Sequence, residues 1–272
     1  MPAHQEIFFH VGLGKVASTY LQQQIFPQLN GVHYISTHKY KKSKQIISQH
    51  SEQKILVSRE FDRQFEEEVR WFTKDFPEAK IIILLRRHDE WIASQYKRHV
   101  KNGFFGSFEE FLDLENDQGY WQQKDLLYRP KLELIKAYCQ NPPLVLFYED
   151  LKADRNQFVR QITNYMGIAP LENVSSRQVH KSFSEKQLLV LRTFCRKYIK
   201  VMPTNHRNKV KHWILYRPVW AFYHLILYAA KYFPDTWLPE ESLISEEALQ
   251  KVRKEFAEDW KEAKEFKQTS SK

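Results

Sequence analysis

Apolar residues gather into short runs over the first half of the chain, at positions 7–11, 54–58, 80–85 and 144–148, with a weaker run at 32–36. The four strong runs are mostly Ile, Val, Leu or Phe and lack polar alternation. That pattern suits strands of a sheet covered on both faces. Stretches of helical periodicity lie between them, at 18–26, 62–75, 89–101, 128–138 and 155–166. Strands alternating with helices predict an α/β fold built on a parallel sheet with right-handed crossovers and helices on both faces. Such a sheet takes its ligands beyond the carboxyl ends of its strands.

After Gly167-Ile168-Ala169-Pro170 the character changes. Ser184 is placed to cap a helix with Leu188, Leu191, Cys195 and Tyr198 on one stripe. Residues 212–233 are rich in Trp, Tyr and Phe but are interrupted by Arg217, Pro218 and His224, which argues against a membrane span. Two readings stay open for this stretch: a helical part packing on the α/β portion or lining an acceptor cleft, or an interfacial helix in peripheral contact with a membrane. Residues 246–266 alternate charges at helical spacing and read as a solvated amphipathic helix. The expected organisation is an α/β core over 1–185 and a helical, aromatic-rich extension over 186–272, together forming one domain.

The chain has 272 residues, 42 Lys and Arg against 33 Asp and Glu, and a formal charge of +9. That surplus favours anionic partners, among them nucleic acid, anionic lipid and phosphorylated small molecules. The basic residues are spread along the sequence, with a local cluster at Lys39, Lys41, Lys42 and Lys44 that reads as a solvated face. Cys139 and Cys195 are far apart and show no metal-ligand spacing, so buried free thiols are expected and no metal site is. No signal-peptide pattern opens the sequence, which sets a cytoplasmic expectation if Met1 is the natural start.

The first run leads into Gly12-Leu13-Gly14-Lys15-Val16-Ala17-Ser18-Thr19, with a helix to follow. A strand, a glycine-bearing turn and a helix N-terminus together aim backbone N–H groups at an anion. Gly12 and Gly14 permit tight turning, Lys15 adds a charge, and Ser18 and Thr19 supply hydroxyl donors. A nucleotide kinase would instead carry GxxxxGK[ST], with Lys beside a magnesium-binding hydroxyl. The segment resembles the 5′-phosphosulfate loop of the sulfotransferases that use 3′-phosphoadenosine-5′-phosphosulfate (PAPS), written K-x-G-T-T-x-L, with Ala17-Ser18-Thr19 replacing Gly-Thr-Thr. The resemblance implies that Lys15 contacts the phosphosulfate and that Gly12, Gly14, Val16, Ala17, Ser18 and Thr19 line the cofactor.

A second motif follows the run at 80–85. Arg86 stands at its end and Ser94 eight positions later, the spacing of that family's 3′-phosphate clamp, and Arg offers a planar fork of donors for phosphate oxygens. Arg87 is the alternative if the register slips by one, and a surface salt bridge with Asp89 is the structural alternative for Arg86. The resemblance covers about residues 7–185, most like bacterial carbohydrate and lipid sulfotransferases. It implies the P-loop-like sulfotransferase fold, with PAPS as co-substrate, 3′-phosphoadenosine-5′-phosphate (PAP) as product, and no metal.

Sulfuryl transfer needs a base near the sulfate end. Glu60, just past the run at 54–58, is the first candidate, and His99 the next; His10 lies inside the first strand. Glu149 and Asp150 read as capping or structural carboxylates. Lys181 and Ser182 resemble the segment that closes over the nucleotide in many relatives. The partner expected is an acceptor bearing a hydroxyl or amine, on a carbohydrate, glycolipid or small metabolite, and no nucleic-acid signature is visible. The rival classes are a P-loop nucleotide kinase and a non-enzymatic module binding anionic ligands or nucleic acid.

Overall fold

The segment Glu6–Gly12 forms strand β1, in which Phe8, Phe9, His10 and Val11 are all fully buried. Four consecutive buried side chains require cover on both faces, so this strand lies inside the sheet. In the computed structural model, which describes residues 5–172, 174, 183–199, 210, 212–234, 236 and 242–270, four more strands join it. They are β2 (His33–Ile35), β3 (Lys54–Glu60), β4 (Lys80–Leu85) and β5 (Leu144–Phe147). All pairings are parallel, in the order β2-β3-β1-β4-β5. From β1 the chain runs to the edge strand β2 on one side and returns to β3 beside β1, then crosses to β4 and β5 on the other side. The carboxyl end of β1 is therefore the switch point where such sheets open a crevice.

Register fixes what meets there. Gly12 pairs with Glu60 of β3 and with Leu84 of β4, two residues before Arg86. At the opposite, amino ends, Glu6 accepts hydrogen bonds from Lys54 and Lys80, the first residues of β3 and β4. Those two ammonium donors hold its carboxyl below the usual range against a smaller opposing effect of burial.

The chain divides into two compact units, interleaved in sequence. The first comprises 1–88, 127–179 and 256–272 and contains the sheet; the second comprises 89–126 and 180–255. In the first unit, the helix Arg155–Met166 takes the bounds its sequence predicts because both ends are marked. The Asp154 side chain accepts from Gln157 N at 2.9 Å, and Gly167 turns left-handed at φ 59° to end it. The predicted helix at 18–26 is instead a short α turn (Ser18–Tyr20), a π segment (Leu21–Ile25) and a 3₁₀ turn (Phe26–Gln28), where Pro27 forbids further α propagation.

In the second unit, Ser184 caps Glu185–Phe194 in a reciprocal box with Gln187, and Leu188, Leu191 and Cys195 are buried as their spacing predicts. Tyr198 departs from that stripe and is 63% exposed. Cys195–Ile199 is wound as a π-helix, whose wider turn rotates Tyr198 off the buried face. The solvated helix expected over 246–266 is likewise two helices, Glu246–Glu255 and Ala257–Ser270. Val252 is buried in the second unit and Phe256 and Ala263 in the first, so neither helix is wholly solvated. Among the described residues no helix is long and apolar enough to cross a membrane.

Candidate active site

Four adjacent strands of the first unit deliver side chains to one rim of the sheet. β1 delivers the loop from Gly12 to Thr19, β3 delivers Glu60, β4 delivers Arg86, and β5 delivers Tyr148. The loop is tight for a stated reason. A Cβ on Gly12 would lie 2.0 Å from Ser18 Oγ and 3.2 Å from His10 Cε1, so the backbone of Gly12 is pressed against both side chains.

Glycines do not supply the left-handed turns of this loop. Lys15 and Ala17 both sit at φ 72°, while Gly12 and Gly14 have no positive φ. Left-handed turns curl N–H groups into the concavities that bind anions. For a residue carrying a Cβ, each costs about 1–2 kcal/mol. The exchange of glycine for Ala17 is thus chemically mild but conformationally strained. Replacing Ala17 with Gly should raise the unfolding free energy by about 1 kcal/mol, read from chemical denaturation; an unchanged midpoint would mean that the turn stores no strain.

Two polar atoms of the side chains packed against Gly12, Ser18 Oγ and His10 Nε2, are buried without a hydrogen-bond partner among the described residues. His10 binds Ser58 Oγ through Nδ1 at 2.8 Å, and its ring packs on Phe26. Burial pushes its pKa down to about 3, so it is neutral at physiological pH and too weak a base to take a substrate proton. Ser18 Oγ is a donor suited to an anion's oxygen. Gly14 N donates to Asp62 Oδ1 at 3.1 Å, and Thr19 Oγ1 approaches Glu60 Oε1 at 3.5 Å. Leu13 and Val16 are buried and anchor the loop from beneath, and Lys15 is exposed on its crest.

Arg86 is joined to this loop directly. Its Nη1 donates to the carbonyl of Lys15 at 3.2 Å, and its guanidinium lies 4.4 Å from the centre of the Tyr148 ring. Lys152 approaches the same ring at 4.8 Å, and the Tyr128 hydroxyl donates to the carbonyl of Arg86. The neighbouring Arg87 is fixed through its backbone, its N–H donating to Glu149 Oε1 at 3.0 Å. Asp150 pairs with Lys267 at 2.7 Å, so both carboxylates hold structure together. Neither caps the helix Tyr148–Ala153, whose N-cap, Phe147, makes no side-chain bond. Asp89 has Arg253 as its partner, at 2.8 and 3.0 Å, within the second unit.

The structure therefore brings together Gly12 through Thr19, Glu60 and Arg86. Ser94 and His99 belong to the second unit. Ser94 is partly buried on the helix His88–Lys101. The Nδ1 of His99 lies 2.9 Å from the carbonyl of Gln95, and its ring packs against Phe111 and Tyr120. Lys181 and Ser182 lie outside the described residues. Asp62, Tyr128 and Tyr148 join the site without being among the candidates the sequence offers. Only Tyr148 had a local signal, its place immediately after a strand.

Two other features lie at the amino ends of the strands, away from this rim. One is a cavity of about 660 Å³ lined by residues 5–7, 75–80, 140 and 141. The other is a set of metal-ligand type, His33, His50 and Glu52, whose ligand atoms lie within 4.8 Å of one another. Glu52 lies 3.0 Å from the Nδ1 of His50 and 3.7 Å from that of His33.

No family model matches the chain. Sulfotransferase 1A1 of Rattus norvegicus is 30% identical over an alignment of 115 positions, which covers 39% of this chain and 38% of the rat protein. The match thus spans well under half of that relative. A sulfotransferase from Alicyclobacillus acidocaldarius superposes with a TM-score of 0.53 at 16% identity, covering 65% of this chain and 87% of that one. Mouse sulfotransferase SULT7A1, solved in complex with PAP, gives a TM-score of 0.44 at 16% identity over 99% of this chain and 89% of its own. This chain thus shares the fold of the Alicyclobacillus sulfotransferase and, over the aligned stretch, resembles the rat sulfotransferase in sequence.

Proposed function

We propose that the protein moves a sulfuryl group from PAPS to a hydroxyl or amine of an acceptor, in the cytoplasm and without a metal. The observation that carries this reading is the hydrogen bond from Arg86 to the carbonyl of Lys15, with both residues on the rim of the switch-point crevice. One doubly phosphorylated nucleotide can then engage both cation clusters at once. The 5′-phosphosulfate takes the loop from Gly12 to Thr19, with Ser18 Oγ donating to a phosphate oxygen. The 3′-phosphate takes the guanidinium of Arg86, with Ser94 completing the clamp as the sequence spacing implies. Lys181 and Ser182 are further cofactor contacts on the sequence resemblance alone.

In the reaction the acceptor atom attacks sulfur in line, a new O–S or N–S bond forms, and the bond from sulfur to the bridging oxygen breaks. The electron pair leaves with PAP, and Lys15 stabilises the charge that grows on the bridging oxygen. The acceptor proton passes to a base. Glu60 has the better claim, because its carboxylate approaches the Thr19 hydroxyl beside the sulfate end; His99 is the second candidate. The acceptor is a carbohydrate, a glycolipid or a small hydroxylated metabolite.

Calorimetry with PAP in the absence of Mg²⁺ tests the reading, followed by transfer of radiolabelled sulfate onto an acceptor panel. Micromolar or tighter PAP binding and a labelled product are expected. Binding of ATP only with Mg²⁺, and none of PAP, would instead make the protein a kinase-like nucleotide binder.

A further inference from the structure

The formal charge of +9 is not evenly distributed. Between Glu185 and Asp235 there is no acidic residue, and that stretch holds 10 Lys and Arg. The rest of the chain then has 32 Lys and Arg against 33 Asp and Glu, close to neutral. The whole excess belongs to the segment that also carries the aromatic stretch.

The described part of this segment has an unusual surface. The helix Arg217–Ala229 and the turn after it bury only a narrow stripe: Tyr223, Leu227 and Ala230. At 100° per residue, the side opposite that stripe holds Leu225 and Tyr232, 64% and 87% exposed, with Tyr228 at its edge. Trp213, Ile214 and Leu215, in the turn before the helix, are each more than half exposed. A helix on the surface of a soluble protein shows water a polar face. Here the side facing away from the core is apolar, and the cations Arg217 and Lys231 lie along its flank.

We infer that this surface docks on a lipid bilayer carrying anionic headgroups. Apolar side chains enter the acyl boundary, Trp and Tyr rings settle at headgroup depth, and Lys and Arg meet the phosphates. A helix of 13 residues is about 20 Å long, too short to span, so the contact is peripheral. Charge argues against a second copy as occupant, because two such segments, each with 10 Lys and Arg and no acid, repel. Chemistry argues against nucleic acid, because Ile214, Leu215 and Leu225 neither stack on bases nor hydrogen-bond to them. The bilayer alone satisfies both halves of the surface.

Co-sedimentation of the full chain with vesicles tests the inference, independently of turnover. The protein should pellet with phosphatidylcholine vesicles containing phosphatidylglycerol, less so at raised salt, and not with phosphatidylcholine alone. Two double variants alter only exposed side chains: Trp213→Ser with Leu225→Ser, and Arg217→Gln with Lys231→Gln. Each should lower the partition coefficient at least about tenfold with the melting temperature unchanged. The inference is overturned if the wild type ignores anionic vesicles, or if the apolar double variant pellets as the wild type does. It is also overturned if sedimentation shows a dimer that this variant dissolves, or if single-stranded nucleic acid binds at the same residues in place of vesicles.

Discussion

Replacing Lys15 with Ala should cut kcat/KM for PAPS by about a thousandfold while leaving the melting temperature where it was. The loss follows from where the charge stands. Lys15 is the exposed residue of the loop, and on the proposed reading its ammonium meets the bridging oxygen as the S–O bond breaks. Groups aimed at charge that develops in a transition state are worth about 3–4 kcal/mol each, or two to three decades in rate. Unchanged stability follows from the backbone. Arg86 is held by the carbonyl of Lys15, which Ala retains, and Ala at φ 72° is no more strained than Lys. Lys15→Gln separates the charge from the packing and should be nearly as slow as Ala. Turnover within tenfold of the wild type in both variants would remove Lys15 from the site.

How much of this was legible in the sequence depends on the range of the interactions involved. The four long strands were, because a strand buried on both faces writes a continuous apolar run that needs no knowledge of its neighbours; β2, an edge strand with only Ile35 buried, leaves a weaker trace. Helix Arg155–Met166 was legible to the residue, since Asp154 and Gly167 are local signals. The loop's residues were legible as chemistry but not as geometry. By composition the glycines are the natural turning points, whereas Lys15 and Ala17 take the left-handed conformations and Gly12 serves by close approach to Ser18. Winding errors came from π segments at Leu21–Ile25 and Cys195–Ile199, which no periodicity of 3.6 anticipates. The supports of Arg86 were beyond reach for a different reason. Tyr128 lies 42 residues from it in sequence, and nothing local says that its hydroxyl will meet that carbonyl.

Asp259 is the extreme case, and its removal should be the most destabilising single truncation of a polar side chain in the first unit. Its carboxylate accepts from Tyr128 N at 2.8 Å and from Arg129 N at 3.0 Å, at the start of the helix Arg129–Tyr138. A residue 130 positions away thus caps that helix. His88 Nε2, buried like Asp259, lies 2.9 Å from the same carboxylate. Burial raises the acid's pKa, but the His88 bond and the two backbone N–H groups outweigh it and hold the carboxyl below its ordinary value. Because the folded state favours the anion, this stabilisation is present above the unfolded pKa near 3.9 and is lost as pH falls through the depressed folded value. Asp259→Ala leaves two backbone donors and the imidazole without that acceptor in a dry setting, at a cost of about 3–5 kcal/mol. For a chain of this size the melting temperature should fall by roughly 6–15 °C. Asp259→Asn, which keeps an acceptor oxygen but not the charge, should lose about half as much. Tyr128 caps this helix with its backbone and supports Arg86 with its hydroxyl, so loosening the helix start also loosens the guanidinium. PAP affinity should therefore drop in Asp259→Ala at temperatures where the protein is still folded. A variant that melts like the wild type would mean that water replaces the carboxylate at no cost, and that the C-terminal helix does not brace the anion site.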